Sequence, residues 1–194
     1  LQTFAALAVS SIAGYGFEIY HDKAKDTVMA ILMLAMMVPF VAVLVPLFQM
    51  FTKAKLINSW TGFILPSIAT PFLIMYFRNS ARSFPRDTLE AARIDGLNEF
   101  QIFIRMFIPM MKPTYASAAT ITFMGAWNAY LWPKVVMQTN EAITMPMLVA
   151  NTMGGYVIDY GVVMAAVTIC SLPTVIIFFC LQKSFTNAVA GAVK

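Results

Sequence analysis

The stretch EAARIDGLNEF, residues 90–100, combines side chains that are suited to gripping another protein. Glu90 is followed by two alanines, which allow a close approach, and its carboxylate can accept charge-assisted hydrogen bonds. Gly96 can take the left-handed conformation that ends a helix. A short helix with this small face fits a groove contact, and it fits equally well an amphipathic elbow lying on a bilayer. The residues alone leave both interpretations open.

Enzyme chemistry is not favoured by the other polar residues. His21 is the single histidine, and a metal site would need partner ligands that the sequence does not offer. The uncharged runs hold no Ser–His, paired-aspartate or metal constellation, and Asp159 stands alone at the boundary of one run. The phosphate-binding pattern G-x-x-x-x-G-K-S/T is missing from the sequence. We therefore expect a chain without a catalytic site, a metal or a cofactor of its own.

The composition favours the membrane class of protein. Of the 194 residues, 60% are hydrophobic and 11% are charged, whereas soluble domains are nearer a quarter charged. A soluble fold of this composition would have few charged side chains with which to cover its surface. Helices satisfy their own backbone hydrogen bonds in a bilayer. We expect an all-α polytopic membrane protein.

Five uncharged runs are candidate membrane spans, since about 20 residues cross the hydrocarbon core. They are residues 1–17, 27–52, 56–77, 113–133 and 160–182. The first run is short and begins at Leu1, which is typical of a chain that starts inside or just before a span. Residues 142–158 are interpreted as a loop with a short interfacial helix. Kinks or breaks are predicted at the prolines inside the runs, namely Pro39, Pro46, Pro66, Pro71 and Pro173.

The basic residues predict the orientation of these spans. Ten of the thirteen Lys and Arg residues lie in the segments 18–26, 78–112 and 183–194, which alternating spans place on one side. By the positive-inside rule this side is the cytoplasm, so the C-terminus is cytoplasmic and the visible N-terminus is outside. The net charge of +4 follows from this asymmetry and requires no nucleic-acid partner.

Two consecutive helices should position the opening stretch, within residues 83–112. For the first helix, Ser83 is the expected cap, Pro85 suits the first turn, and Gly96 ends about eleven helical residues. For the second, Asn98 and Gln101 have the spacing of a capping box. Its apolar residues recur at helical spacing and are expected to face the membrane domain; they are Phe100, Phe103, Ile104, Phe107 and Ile108.

A family resemblance decides between docking and a surface elbow. The sequence resembles the EAA loop of binding-protein-dependent ABC importer permeases and departs from it only by apolar exchanges at Met106 and Ile108. The segments GAWNAYLWP (125–133) and FTNAVAGAVK (185–194) are similar to the sugar branch, the maltose-type second permease subunit. That branch has the type I importer fold with six spans, so five of six are expected here, with an N-terminal span missing. The residues that match the EAA loop are Glu90, Ala91, Ala92, Gly96 and Pro109.

The resemblance implies that the EAA helix is a coupling helix, which docks in a cleft of a separate cytoplasmic ATPase subunit. Glu90 would be the polar anchor, and Ala91 and Ala92 would form the close-contact face. Gly96 would make the turn between the two helices, and Asp95 would cap or pair locally. An ATPase dimer that binds ATP and Mg would drive alternating access of a permease pair. The other implied partners are a second permease subunit, an extracytoplasmic solute-binding protein and the lipids of the bacterial inner membrane.

Residues near the outer boundary are candidates for solute and partner contacts. Trp127 and Tyr130 suit an interfacial aromatic belt, or alternatively a sugar pathway in which rings stack on the solute. Asn128 is expected to make a hydrogen bond between helices. The segment 134–159 is either a passive connector or a contact for the binding protein. The candidate contact residues in it are Gln138, Thr139 and Asn140.

Other transport classes remain as alternatives. An ABC permease for glycerol phosphate or another small solute would carry a similar WN-YLWP pattern. An ion-coupled secondary transporter usually places ionisable residues inside its spans, and the five uncharged runs have none. A channel is suggested only by Gly14-Tyr15-Gly16, and the small residues Ser10 and Gly14 favour helix packing at that place.

Overall fold

The computed structural model describes residues 1–139, 143–154 and 158–191, with side chains as far as Cys180. In these residues the chain is built from helices and contains no strand. Two irregular turns join helices, a 3₁₀ turn at Leu65–Ser67 and a π-helical turn at Phe103–Phe107. The α-helices are α1 (Gln2–Ile19), α2 (Lys23–Ala35), α3 (Phe40–Lys53), α4 (Trp60–Ile64), α5 (Pro71–Ala81), α6 (Arg86–Ile94), α7 (Glu99–Ile102), α8 (Ile108–Met110), α9 (Lys112–Trp127), α10 (Leu131–Val136), α11 (Met145–Thr152) and α12 (Tyr160–Gly191).

Prolines divide two of the predicted spans. Within 27–52, the chain bends by 102° between α2 and α3. Pro39 is the N-cap residue of α3 and has an extended backbone. Within 56–77, the segments Trp60–Ser67 and Pro71–Ala81 meet at 47°. Pro46 and Pro173, in contrast, lie inside continuous helices. Prolines at the start of a helix therefore mark the breaks between helices. The prolines inside α3 and α12 do not interrupt those helices.

Length and hydropathy qualify one described helix as a complete membrane span by itself, Tyr160–Cys180 of α12. Each bent pair qualifies when its two helices are taken together, which gives up to three spans among the described residues. The short helix expected within 142–158 is α11. Gly155 and the last three residues of the C-terminal segment lie outside the described residues.

Helices α1, α5 and α9 form one core. A β-carbon on Gly14 would lie 2.6 Å from the β-carbon of Phe77, so α1 and α5 approach as closely as glycine allows. Ser10 is fully buried one helical turn earlier. The predicted packing role of Ser10 and Gly14 is thus confirmed. Since Gly14, Tyr15 and Gly16 are all helical, this segment does not form the open carbonyl loop of a channel filter. The apolar centre of the core is Ala6, Leu73, Phe77 and Ala118.

A second core joins α3, α4 and α10. The indole nitrogen of Trp132 donates a hydrogen bond of 3.1 Å to the carbonyl of Gly62. The Trp132 ring also meets Phe51 edge-on, with 5.1 Å between ring centroids. These two contacts fix α10 against α4 and α3.

Candidate functional site

Helix α6 carries most of the EAA residues, and its ends differ in how well the sequence predicts them. Pro85 is the residue before the helix and has an extended backbone, so α6 has nine residues rather than eleven. The predicted cap by Ser83 is wrong, because Pro85 occupies the N-cap position and no side chain caps the helix. The Ser83 hydroxyl instead donates to the carbonyl of Ser80 at 2.7 Å. That bond belongs to the end of α5. The preceding helix therefore takes the hydroxyl that the sequence assigns to α6.

Gly96 ends α6 as predicted. Its φ angle is +81°, and the N–H of Gly96 bonds to the carbonyl of Arg93 at 3.1 Å. The N–H of Leu97 reaches the carbonyl of Ala92 at 3.0 Å. This pair of bonds is the Schellman arrangement, which satisfies the last carbonyls of a helix and requires a left-handed residue. Asp95, the residue just before the turn, is exposed.

Burial divides α6 into two faces. Ala92 is 2% exposed and packs with Leu89 in a core cluster, so it cannot belong to an outward contact face in this structure. This corrects the prediction that paired Ala91 with Ala92. Ala91 is exposed together with Glu90, and Ile94 is 86% exposed on the same side of the helix. We call Glu90, Ala91 and Ile94 the outer face of α6.

Ile94 is a contact candidate that the motif does not name. It lies five residues after the buried Leu89, about 140° around the helix from it. An isoleucine so far from the buried stripe, on a charged helix, is the signal in the sequence that points to an external apolar contact.

The second helix of the loop packs against α1. The capping box of Asn98 and Gln101 is confirmed, with reciprocal bonds of 2.9 and 3.0 Å. Phe103 and Phe107 are buried, as predicted, whereas Phe100 and Ile104 are exposed. The π-helical turn over residues 103–107 interrupts the regular helical spacing on which the prediction of one apolar stripe depends. Pro109 lies in α8 and is exposed.

A polar link joins this loop to α1. The Nε–H of Arg93 donates to Oε1 of Glu99 at 2.8 Å, and the hydroxyl of Tyr15 lies 3.5 Å from Oε2. Burial acts to raise the pKa of Glu99, but hydrogen bonds from Tyr20 and Arg93 outweigh it and hold the pKa below its usual value. Glu99 is therefore an anion under ordinary conditions.

An ion-pair group lies beside this link. Arg78 of α5 has a side chain that is 6% exposed, and its Nε lies 3.3 Å from Oε2 of Glu18. A second nitrogen of Arg78 bonds to Asp26, whose other oxygen lies 2.9 Å from Nε2 of His21. These contacts fasten the turn between α1 and α2 to α5. His21 is half exposed in this turn and lies within hydrogen-bond distance of a carboxylate.

The candidate pathway residues are brought together at the end of α9. The indole nitrogen of Trp127 donates to the carbonyl of Cys170 at 2.9 Å, which joins α9 to α12. Asn128 bonds to the carbonyl of Met124 in its own helix. The predicted bond between helices is therefore made by Trp127 rather than by Asn128. Tyr130 accepts a hydrogen bond of 2.7 Å from Lys134.

Asn128 and Tyr130 line an open cavity of about 490 Å³. The cavity lies between the end of α9, α11 and α12, and its walls are mostly apolar with few polar side chains. Concave apolar sites with a small number of polar groups are typical of ligand pockets. The other lining residues are Pro146, Val149, Ala150, Met153, Val167, Cys170 and Ser171.

The candidate contact residues for a binding protein are only partly described. Gln138 and Thr139 are exposed, and Asn140 lies outside the described residues. The backbone N–H of Gln138 donates to the side chain of Asn58, which ties this segment to the loop between α3 and α4.

Known proteins with similar sequences include several transport system permeases. The chain is 42% identical to the lactose transport system permease protein LacG of Rhizobium radiobacter, over 99% of the chain and 70% of that protein. It is 35% identical to the arabinooligosaccharides transport system permease protein AraQ of Bacillus subtilis, over 99% of the chain and 69% of that protein. It is 27% identical to the sn-glycerol-3-phosphate transport system permease protein UgpE of Yersinia pestis, over 99% and 69%.

The fold has a counterpart among solved structures. A chain in the crystal structure of a bacterial ABC transporter involved in the import of the acidic polysaccharide alginate superimposes with a TM-score of 0.80, at 23% identity. The match covers 95% of this chain and 73% of the other, and it confirms the predicted type I importer permease fold. The sequence model for the binding-protein-dependent transport system inner membrane component matches residues 6–191. The chain therefore belongs to this family of membrane transport permeases.

Proposed function

We propose that this chain is one permease subunit of a carbohydrate ABC importer and that a separate ATPase subunit docks on the outer face of α6. The relatives that transport lactose and arabinooligosaccharides support the carbohydrate class, since they are more similar to this chain than the glycerol-phosphate relative. In this proposal the chain has no catalytic site, and ATP and Mg are bound by the partner subunits. A second permease subunit and an extracytoplasmic binding protein complete the importer, and the C-terminus faces the cytoplasm.

The exposure of Ile94 is the observation that carries the docking proposal. An isoleucine that is 86% exposed beside Glu90 and Ala91 leaves apolar area that a protein partner can bury. The opposite face of α6 is already packed through Leu89 and Ala92. The helix can therefore accept a partner on one side while it remains attached to its own chain on the other.

The docking proposal is tested with a bulky side chain on the outer face. We expect Ala91→Trp to prevent co-purification of the ATPase with the tagged chain in detergent. Ala54→Trp is the matched control, because Ala54 is exposed in the loop after α3, which is predicted to lie on the opposite side of the membrane. The control variant should retain the ATPase. Equal recovery of the ATPase with both variants would refute docking on this face and would favour a helix that lies on the bilayer.

We propose that the cavity beside Asn128 and Tyr130 forms part of the solute pathway, and that Gln138, Thr139 and Asn140 contact the binding protein.

The solute class is tested in the assembled importer. Uptake of labelled oligosaccharide into vesicles should be competed by unlabelled oligosaccharide and not by glycerol phosphate. The opposite competition pattern would assign the chain to the glycerol-phosphate class. Uptake that follows a proton gradient in the absence of an ATPase would refute the importer itself.

A further inference from the structure

The carboxylate of Glu99 bridges two helices that are far apart in the sequence. Its Oε1 accepts a hydrogen bond from Arg93 of α6 at 2.8 Å. Its Oε2 lies 3.5 Å from the hydroxyl of Tyr15 of α1. One side chain at the start of α7 thus connects α6 to α1.

Tyr15 is held firmly on the α1 side of this bridge. The side chain is buried, and its ring meets Phe103 and Phe107 edge-on with centroid separations of 5.3 and 4.9 Å. The same core cluster contains Leu89 and Ala92 from the buried face of α6. Helices α1 and α6 are therefore joined in two ways, by apolar packing and by the hydrogen bonds of Glu99.

The two kinds of contact respond differently to a sliding motion. Apolar burial is non-directional and allows one helix to shift over another while area stays buried. A hydrogen bond weakens steeply when its distance or angle changes. The Arg93–Glu99–Tyr15 bridge is consequently the directional part of the contact, with a short bond of 2.8 Å to Arg93 and a longer, weaker contact of 3.5 Å to Tyr15.

Helix α1 in turn is fixed to α5. Gly14, next to Tyr15, leaves no space for a β-carbon against Phe77. Glu18, one turn after Tyr15, pairs with the buried guanidinium of Arg78 at 3.3 Å. A force that reaches Tyr15 is therefore passed to α5 as well, because close backbone packing and an ion pair lie on either side of it.

We infer that Glu99 is a positioning residue that transmits the displacement of α6 to the α1–α5 pair through Arg93 and Tyr15. This inference rests on the proposed function, since α6 must be the helix that the ATPase moves. Glu99 itself contacts neither nucleotide nor solute in this role. It determines how much of the movement of α6 reaches the membrane helices.

The test measures solute transported per ATP hydrolysed by the complete importer in vesicles. Glu99→Gln removes the charge but keeps the size of the side chain, and we expect it to lower this ratio about fivefold, because the paired Arg93 and Glu99 side chains are 43% and 41% exposed and water weakens their attraction. Tyr15→Phe keeps the ring contacts and removes the hydroxyl alone; we expect it to lower the ratio about threefold. Tyr160→Phe is the control, because Tyr160 is exposed at the start of α12, and it should leave the ratio unchanged.

Combining the variants separates transmission from simple loss of structure. If Tyr15 acts through Glu99, the double variant has the same ratio as Glu99→Gln, because the bridge is already broken. An unchanged ratio in either single variant would overturn the inference. So would fully independent effects in the double variant, or poorer assembly with a normal ratio in the complexes that do form. Failure of the unaltered chain to recruit an ATPase would instead refute the proposed function.

Discussion

Gly14 of α1 lies so close to Phe77 of α5 that a β-carbon on the glycine would be 2.6 Å from the β-carbon of the phenylalanine. It would also lie 2.7 Å from the backbone nitrogen of Arg78. Since backbone atoms cannot rotate away, a larger residue must separate the two helices. Small residues at helix interfaces in membranes serve this close approach.

We expect Gly14→Val to destabilise the protein by more than the usual overpacking cost of about 1–3 kcal/mol. Gly16→Val is the matched control, because a β-carbon there meets no atom within 4 Å. The stability of both variants is measured by heating them in detergent and recording the temperature at which each sample ceases to be monodisperse. Equal stability of the two would show that α1 and α5 are not held together at Gly14.

The turn at Gly96 has space for a larger side chain, but its left-handed backbone conformation should disfavour an L-residue. A β-carbon at Gly96 meets no atom within 4 Å, yet its φ of +81° costs an L-residue about 1–2 kcal/mol. We expect Gly96→Ala to lower stability by this amount and Gly96→Asn by less, because asparagine accepts this conformation more readily. Gly125→Ala, in the interior of α9 with open space, should cost nothing. A neutral Gly96→Ala would contradict the turn geometry.

Arg78 and Arg82 bind the same carboxylate oxygen of Glu18 at nearly equal distances, 3.3 and 3.4 Å. Their side chains are 6% and 60% exposed, respectively. Removing one partner of a buried pair costs about 3–5 kcal/mol, whereas an exposed pair contributes at most about 1 kcal/mol. We therefore expect Arg78→Leu to destabilise strongly and Arg82→Leu only slightly, as measured by chemical unfolding. Similar losses would mean that burial does not govern this group.

The indole of Trp127 provides a cross-helix bond that phenylalanine cannot make. Trp127→Phe should lower stability by about 0.6–2 kcal/mol, the range for hydrogen bonds between membrane helices. Trp60→Phe is the control, because the Trp60 side chain is largely exposed. Denaturation of both variants in the same detergent measures the difference. A loss that is no greater for Trp127 would place the α9–α12 contact elsewhere.

The lowered pKa of Glu99 predicts the acid dependence of its contribution. A carboxyl group with a depressed folded-state pKa stabilises the protein fully above its ordinary pKa of 4.5 and loses this contribution as the pH falls through the lowered value. The difference in unfolding temperature between the unaltered chain and Glu99→Gln should thus be constant between about pH 8 and 6. It should shrink only below pH 4.5. A difference that disappears near neutral pH would contradict the assigned shift.

Local signals in the sequence were sufficient for the ends of several helices. The capping box at Asn98 and the turn at Gly96 depend on residues within five positions of each other, so their geometry follows from residue type and spacing. The same is true of Pro39 and Pro71, which open helices after breaks. The spacing of the EAA loop indicates a transport permease, whereas the local properties of the residues leave open whether this helix docks on a partner or lies on the bilayer.

Tertiary contacts decide what the sequence did not predict. Ala91 and Ala92 are identical in type and adjacent, and only the core cluster around Leu89 determines which of them is covered. Ser83 does not cap α6, because the extended Pro85 occupies the N-cap position and the Ser83 hydroxyl bonds back to Ser80 at the end of α5. Glu99 and Tyr15 are 84 residues apart, so no window along the chain brings them together.

The sharp bend between α2 and α3 has a consequence for how this segment can lie in a bilayer. Arms of 13 and 14 residues are about 20 and 21 Å long, so each is shorter than the roughly 30 Å of the hydrocarbon core. The chain turns through 102° between them, so the pair does not cross the core as one straight helix. The polar backbone groups that the break at residues 36–39 exposes need partners within the protein, because lipid supplies none.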